Sequence, residues 1–171
     1  YKVVVPTNAF ENCDSLNTLT ILSHNKTIKP IKLELISNIK YIKIKKGNTL
    51  IKESSFSDLP LIKQVIIPST METIESYAFK NCIALKEVKF ENNSETDSSE
   101  CSIGDYVFNQ CASLTGIVIP SYVSSIGDYC FYECISLSQI TFQTNSIKSI
   151  GCSTFEKCSN LKQIMIPQSV T

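Results

Sequence analysis

Residues 102–126, SIGDYVFNQCASLTGIVIPSYVSSI, and residues 125–150, SIGDYCFYECISLSQITFQTNSIKSI, follow one template. With the central Phe as position 0, Ile stands at −5, a small residue at −1, Cys at +3, Leu at +6 and aliphatics at +9 and +11, with Pro often at +12. Working outward from these two copies, the anchors are Phe10, Leu33, Phe56, Phe79, Phe108, Phe131 and Phe155, spaced by 23, 23, 23, 29, 23 and 24 residues. The second unit has lost the Phe, Cys and Pro of the template. It still supplies Ile28, Leu33, Ile36, Ile39, Ile42 and Ile44 at the expected offsets. A repeat of this length cannot bury its apolar residues alone; stacked neighbours bury them together, so the pattern predicts a solenoid.

Within each unit the stretch from +6 to +12 reads as a strand, as in LKEVKFE, LTGIVIP, LSQITFQ and LKQIMIP. Strand side chains alternate. The aliphatic residues at +9 and +11 therefore face inward and those at +8 and +10 outward. Pro68, Pro120 and Pro167 follow their strands, where a missing N–H costs least. The stretch from −3 to +3, such as DYVFNQC, reads as a turn or a single helical turn, because 0 and +3 share a helical face. A second apolar pair, at +15 and the next −5 (Val123 and Ile126), suggests another short extended segment. The expected fold is an α/β solenoid of about seven repeats filling residues 1–171 as one domain. It has one parallel sheet on one side and turns and short helices on the other, a degenerate repeat at 28–45 and an inserted loop at 91–100. Neither end carries a distinct polar cap, so the chain reads as a fragment of a longer protein.

The 171 residues include sixteen basic and sixteen acidic side chains, for a net charge of zero. That balance gives no electrostatic case for nucleic acid or an anionic membrane. No apolar run approaches the roughly 20 residues of a membrane span.

The stretch IPSYVSSIGDYCFYECISLSQITF (119–142), with its IP-S-x-V-x-x-IG-x-x-x-F-x-x-C-x-x-L pattern, resembles the BspA-type leucine-rich repeat. The resemblance covers 56–171 well and 1–47 weakly, and departs from the pattern in the second unit and in the six residues inserted after Phe90. It implies a leucine-rich-repeat solenoid with its strands on the concave side. It also implies an extracellular or cell-surface protein that adheres to host-cell or matrix proteins.

Five of the eight cysteines, Cys13, Cys82, Cys111, Cys134 and Cys158, stand at +3, where other units hold Ile36 and Leu59. A slot that accepts Ile or Leu is a core slot, and a free Cys there acts as a small buried hydrophobe. Cys130, at −1, is read as buried too. Cys101 and Cys152 fit no ladder and are expected to be the exposed or reactive thiols. The chain has no zinc-type Cys/His spacing and no nucleophile elbow. The single His24, in SHNKT, reads as a solvated turn residue, and Asp105 and Asp128, at −3, as residues that start a helical turn. The stretch ENNSETDSSE (91–100) holds acids without bases and reads as a solvated loop. Asn25 and Asn92 head glycosylation sequons, relevant only to a secreted chain.

These observations favour a non-catalytic binding or adhesion module with no cofactor or metal and no membrane insertion by this segment. The alternative is a structural spacer without a ligand of its own. Ligand contacts are expected from the outward strand positions, +8 and +10. The candidates are Tyr41, Lys43, Gln64, Ile66, Glu87, Lys89, Val118, Gln139, Thr141, Gln163 and Met165. Tyr41, Ile66, Val118 and Met165 stand out as apolar or aromatic groups where alternation predicts exposure.

Overall fold

The computed structural model describes residues 15–22, 26–30, 38–92, 100–144 and 146–171. They form a parallel β-solenoid of about five turns. The strands in chain order are β1 (Thr18–Ile21), β2 (Thr27–Ile28), β3 (Tyr41–Ile44), β4 (Leu50–Ile51), β5 (Gln64–Ile67), β6 (Thr73–Ile74), β7 (Glu87–Phe90), β8 (Cys101–Ile103), β9 (Gly116–Ile119), β10 (Val123–Ile126), β11 (Gln139–Phe142) and β12 (Ser149–Ile150). Odd-numbered strands begin at +8 and pair with each other. Even-numbered strands, mostly of two residues, pair as a separate six-stranded sheet in the order β12-β10-β8-β6-β4-β2. The second extended segment suggested by the sequence is therefore a full sheet, and the expectation of a single sheet is corrected to two sheet faces. The long-strand face is itself divided into β1-β3-β5-β7 and β9-β11.

The inward reading of +9 and +11 holds at Ile42 and Ile44, Val65 and Ile67, Val88 and Phe90, and Ile117 and Ile119, all buried. Phe56, Phe79, Phe108, Phe131 and Phe155 stack as one column, with ring centroids 5.1, 5.6, 5.4 and 5.7 Å apart. Phe10 and Leu33, the expected first members, lie outside the described residues, as do Cys13, His24 and Asn25. Of the seven expected repeats, about five are complete turns. Leu161–Pro167, read as a strand, forms none, and Ile166 is half exposed where Ile44, Ile67, Phe90 and Ile119 are buried.

Short helices were expected on the turn side, and none occurs among the described residues. The reason is in the backbone. Positions −2 and +2 lie in the left-handed region in five successive units: Ser54 and Asp58, Tyr77 and Asn81, Tyr106 and Gln110, Tyr129 and Glu133, Ser153 and Lys157. A left-handed residue every fourth position cannot propagate a right-handed helix. The amides turn along the solenoid axis instead. Those of −2, 0 and +2 donate to the carbonyls of −3, −1 and +1 in the next unit, as in Tyr106 to Asp128, Phe108 to Cys130 and Gln110 to Tyr132, at 2.9, 2.9 and 2.8 Å. This third ladder satisfies a turn that would otherwise bury orphan amides.

The repeating residues serve that ladder. The Cys82, Cys111, Cys134 and Cys158 thiols each donate to the carbonyl of the preceding unit's anchor Phe, at 3.2, 3.4, 3.2 and 3.1 Å. The Asp105 carboxylate accepts from the Asp128 amide at 2.8 Å, and that of Asp128 from the Cys152 amide at 2.7 Å. The aspartates thus cap the next unit, not a helical turn of their own. The glycine at −4 lets the backbones approach closely: a Cβ on Gly127 would stand 2.6 Å from the Asp105 amide nitrogen and 2.3 Å from its Oδ1, and one on Gly151 2.5 and 2.4 Å from those of Asp128.

Cys152 is exposed, as expected. Cys101 is buried, which overturns the expectation of a reactive group. It pairs with Val123 across a shift in register between β8 and β10, and so fills the slot that Met71 and Val123 occupy in neighbouring units. The insertion displaced it from the count. Burial pushes the thiols of Cys82, Cys101 and Cys130 up to about 12.

Candidate functional site

The candidate site is the outward side of the long-strand face. The backbone register sets its rows: Thr18, Tyr41, Gln64 and Glu87 are paired across β1, β3, β5 and β7, as are Thr20, Lys43, Ile66 and Lys89. Gly116 pairs with Gln139 and Val118 with Thr141 on β9 and β11. Tyr41 is 39% exposed and Val118 48%. Glu87, Lys89, Gln139 and Thr141 are exposed, and Lys43, Gln64 and Ile66 half-buried. The Gln64 amide donates to the Glu87 carboxylate. Gln163 and Met165 are exposed as expected but lie beyond the last strand, Met165 beside Phe142 and Pro167.

A groove of about 440 Å³ crosses this face where β7 and β9 fail to pair. Five candidates line it: Glu87, Lys89, Val118, Gln139 and Thr141. Three features of the sequence coincide with it; the insertion is absent from β5, whose Pro68 also stands at +12 and which still pairs with β3. The insertion enters directly after β7. Pro120 stands at +12, where Glu91 and Gln143 donate an amide to the previous rung, and has none to give. Gly116 brings no side chain to the cross-strand pair. The outer end of the groove is formed by Phe90, Asn92, Pro120 and Gln143, which alternation alone did not single out. The signal that finds them is the 29-residue spacing.

The flanks of the insertion are anchored, whereas 93–99 lie outside the described residues. The Tyr122 hydroxyl donates to the Glu91 carbonyl at 3.0 Å and the Cys101 amide to the Tyr122 carbonyl at 2.7 Å. Glu100 pairs with Lys148 at 2.8 Å, both groups largely exposed.

A second feature escaped the sequence reading. Tyr77, Tyr106 and Tyr129, all at −2, stack with centroids 4.9 Å apart on the turn side. Tyr132 meets Tyr129 edge-on and lies under the Lys157 ammonium. The thrice-repeated Tyr was visible in the sequence; its left-handed backbone was not. Among the described residues no group of three or more His, Cys, Asp or Glu side chains could hold a metal ion, and no helix is long and apolar enough to cross a membrane.

Parallel two-sided stacking, a buried Phe column and an outward strand face define a leucine-rich-repeat-type solenoid. A profile of the BspA type leucine rich repeat region matches residues 3–101 and 95–171 in six copies, and the chain belongs to that family. Among solved structures it is similar to a leucine-rich repeat protein from Eubacterium ventriosum, at 26% identity and a TM-score of 0.77, covering 90% of this chain and 40% of that one. It is also similar to one from Bacteroides ovatus, at 27% identity and 0.59, covering 100% and 49%. A leucine rich cell surface protein from Faecalibacterium prausnitzii is similar at 26% identity and 0.50, covering 91% and 42%. The chain thus spans less than half the length of these relatives. No curated protein matches it.

Proposed function

We propose that this chain is a non-catalytic binding module of a surface or secreted protein, and that it takes a protein partner, such as a host-cell or matrix protein, on its long-strand, concave face. The observation that carries this reading is the contrast between the Phe column and the strand face. The repeated side chains stack inside and on the turn side, while Tyr41, Ile66 and Val118 are left outward in a polar surround. Aromatic and aliphatic groups within a polar rim form the centre of protein interfaces. The surface location is supported by the similarity to the Faecalibacterium prausnitzii cell surface protein.

The test is a surface-plasmon-resonance panel of purified matrix and cell-surface proteins, followed by Tyr41→Ala and Ile66→Asp on any partner found. Both variants should weaken binding, with Tyr41→Ala leaving the melting profile unchanged. Unchanged binding by both, with loss on Tyr106→Ala on the turn side, would overturn the assignment.

A further inference from the structure

The neutral chain is electrically two-sided. From +6 to +12, the units on β3, β5 and β7 carry six lysines, Lys40, Lys43, Lys45, Lys63, Lys86 and Lys89, against Glu87 and Glu91. The equivalent stretches on β9 and β11, 114–120 and 137–143, carry no charge. On the turn side, from −4 to +3 of the last five units, seven acids face three lysines. The zero net charge conceals this separation.

The backbone fixes the lysine array. The Lys63 amide donates to the Lys40 carbonyl at 2.7 Å and the Lys86 amide to the Lys63 carbonyl at 2.9 Å. The three residues therefore form one column at the strand entrances, all exposed, with rungs about 4.8 Å apart. Lys43 and Lys89 flank Ile66 in the +10 row. Among the described residues none of the six lysines is in an ion pair with an acid, whereas Lys52, Lys148 and Lys157 are. Unpaired like charges this close repel each other, a cost that an anionic ligand removes.

Resting on the binding-module reading, we infer that the partner presents an extended acidic peptide segment, with its carboxylates over the lysines of β3, β5 and β7 and an apolar side chain in the β7–β9 groove. The neutral half decides between a peptide and a uniform polyanion. A sulfated polysaccharide carries charge along its whole length and would gain nothing over β9 and β11. Val118 and Phe90 in the groove, with Gln139, Gln143 and Thr141 to hydrogen-bond a backbone, suit a segment whose character changes along its length. The five long strands from β3 to β11 span about 20 Å, the reach of about six extended residues.

The experiment uses three fluorescent probes in anisotropy titrations: a peptide of glutamates followed by a leucine-containing neutral half, poly-L-glutamate, and chondroitin sulfate. The mixed peptide should bind tightest, and weaken several-fold between low ionic strength and about 0.15 M salt, where screening sets in within about 8 Å. Lys63→Glu with Lys86→Glu should lower its affinity at least tenfold. Lys80→Gln, on the turn side, should change it less than twofold, and melting curves should confirm folding of each variant. An unaffected Lys63/Lys86 variant, no binding at low salt, or chondroitin sulfate as the tightest ligand would overturn the inference. If a protein partner loses affinity with Tyr41→Ala but not with the lysine reversals, the binding-module reading stands and the acidic segment does not.

Discussion

The turn side and the long-strand face of the solenoid differ in what their sequences repeat. On the turn side the same residue recurs because the next unit needs it. Gly127 and Gly151 leave room for an aspartate, Asp105 and Asp128 cap an amide, and four cysteines each bond the preceding Phe carbonyl. On the strand face the inward positions recur and the outward ones do not. The +8 row runs through Thr, Tyr, Gln, Glu, Gly and Gln from β1 to β11. Stacking fixes several side chains on the turn side and few of the outward ones on the strand face, and the less constrained positions are where a ligand can be specified without loss of the fold.

The largest effect expected from this contrast is at Phe108. It is fully buried between two stacked rings, so Phe108→Ala should cost about 3–5 kcal/mol in denaturant unfolding. A loss below about 1 kcal/mol would mean that the column does not organise the solenoid. Because units contact only their neighbours, hydrogen exchange should rise first beside the substitution.

Gly127 provides a finer test. Ala there would meet the Asp105 carboxylate and backbone at 2.3 and 2.6 Å, whereas Ala at Gly104 would meet its nearest atoms at 3.0 Å. Gly127→Ala should therefore destabilise by about 1–3 kcal/mol, as overpacking typically does, and Gly104→Ala by less. Melting of the two variants in the opposite order would refute the close approach of the neighbouring unit as the reason for the glycine.

How much of this was legible follows from which interactions the sequence encodes locally. The core columns and the outward rows could be read because strand alternation and the 23-residue spacing fix them. The turn ladder could not. Tyr106 and Gln110 adopt a left-handed backbone that side-chain type does not announce, since Gly or Asn is the usual signal. The helical spacing of 0 and +3 was a true contact pattern attached to the wrong backbone. Cys101 was misplaced because the insertion broke the count, and the β7–β9 groove because alternation describes strands and not their failure to pair. The lysine column was hidden by the total: sixteen against sixteen says nothing about which side each charge occupies.

The thiols give a smaller, pH-dependent effect. Burial holds Cys82, Cys101 and Cys130 protonated, raised from 9.0 to about 12. A group raised on folding contributes stability fully present below its unfolded value and lost as pH climbs through the folded one. Thermal stability should therefore be insensitive to these thiols below about pH 9 and decline between pH 9 and 12. In native thiol titration at pH 8, Cys152 should react rapidly and the buried thiols only on adding denaturant. Rapid labelling of four or more cysteines in the native state would contradict the core reading.

The smallest effect should come from the other side of the comparison. Val118→Ser removes apolar atoms, as Phe108→Ala does, but from a side chain 48% exposed on the strand face. Part of its area is already hydrated, no neighbouring ladder closes over it at the β7–β9 seam, and the cavity term that enlarges core truncations has no enclosed space to act on. The substitution should change unfolding free energy by no more than about 0.5 kcal/mol, the range of ordinary surface positions. Binding and stability then separate: if the groove holds an apolar side chain of the partner, Val118→Ser weakens association while the melting curve stays in place. A loss above about 1.5 kcal/mol would show that the seam is closed in solution and that Val118 belongs to the core, which would remove the groove from the candidate site and leave the lysine-bearing strands as its only part.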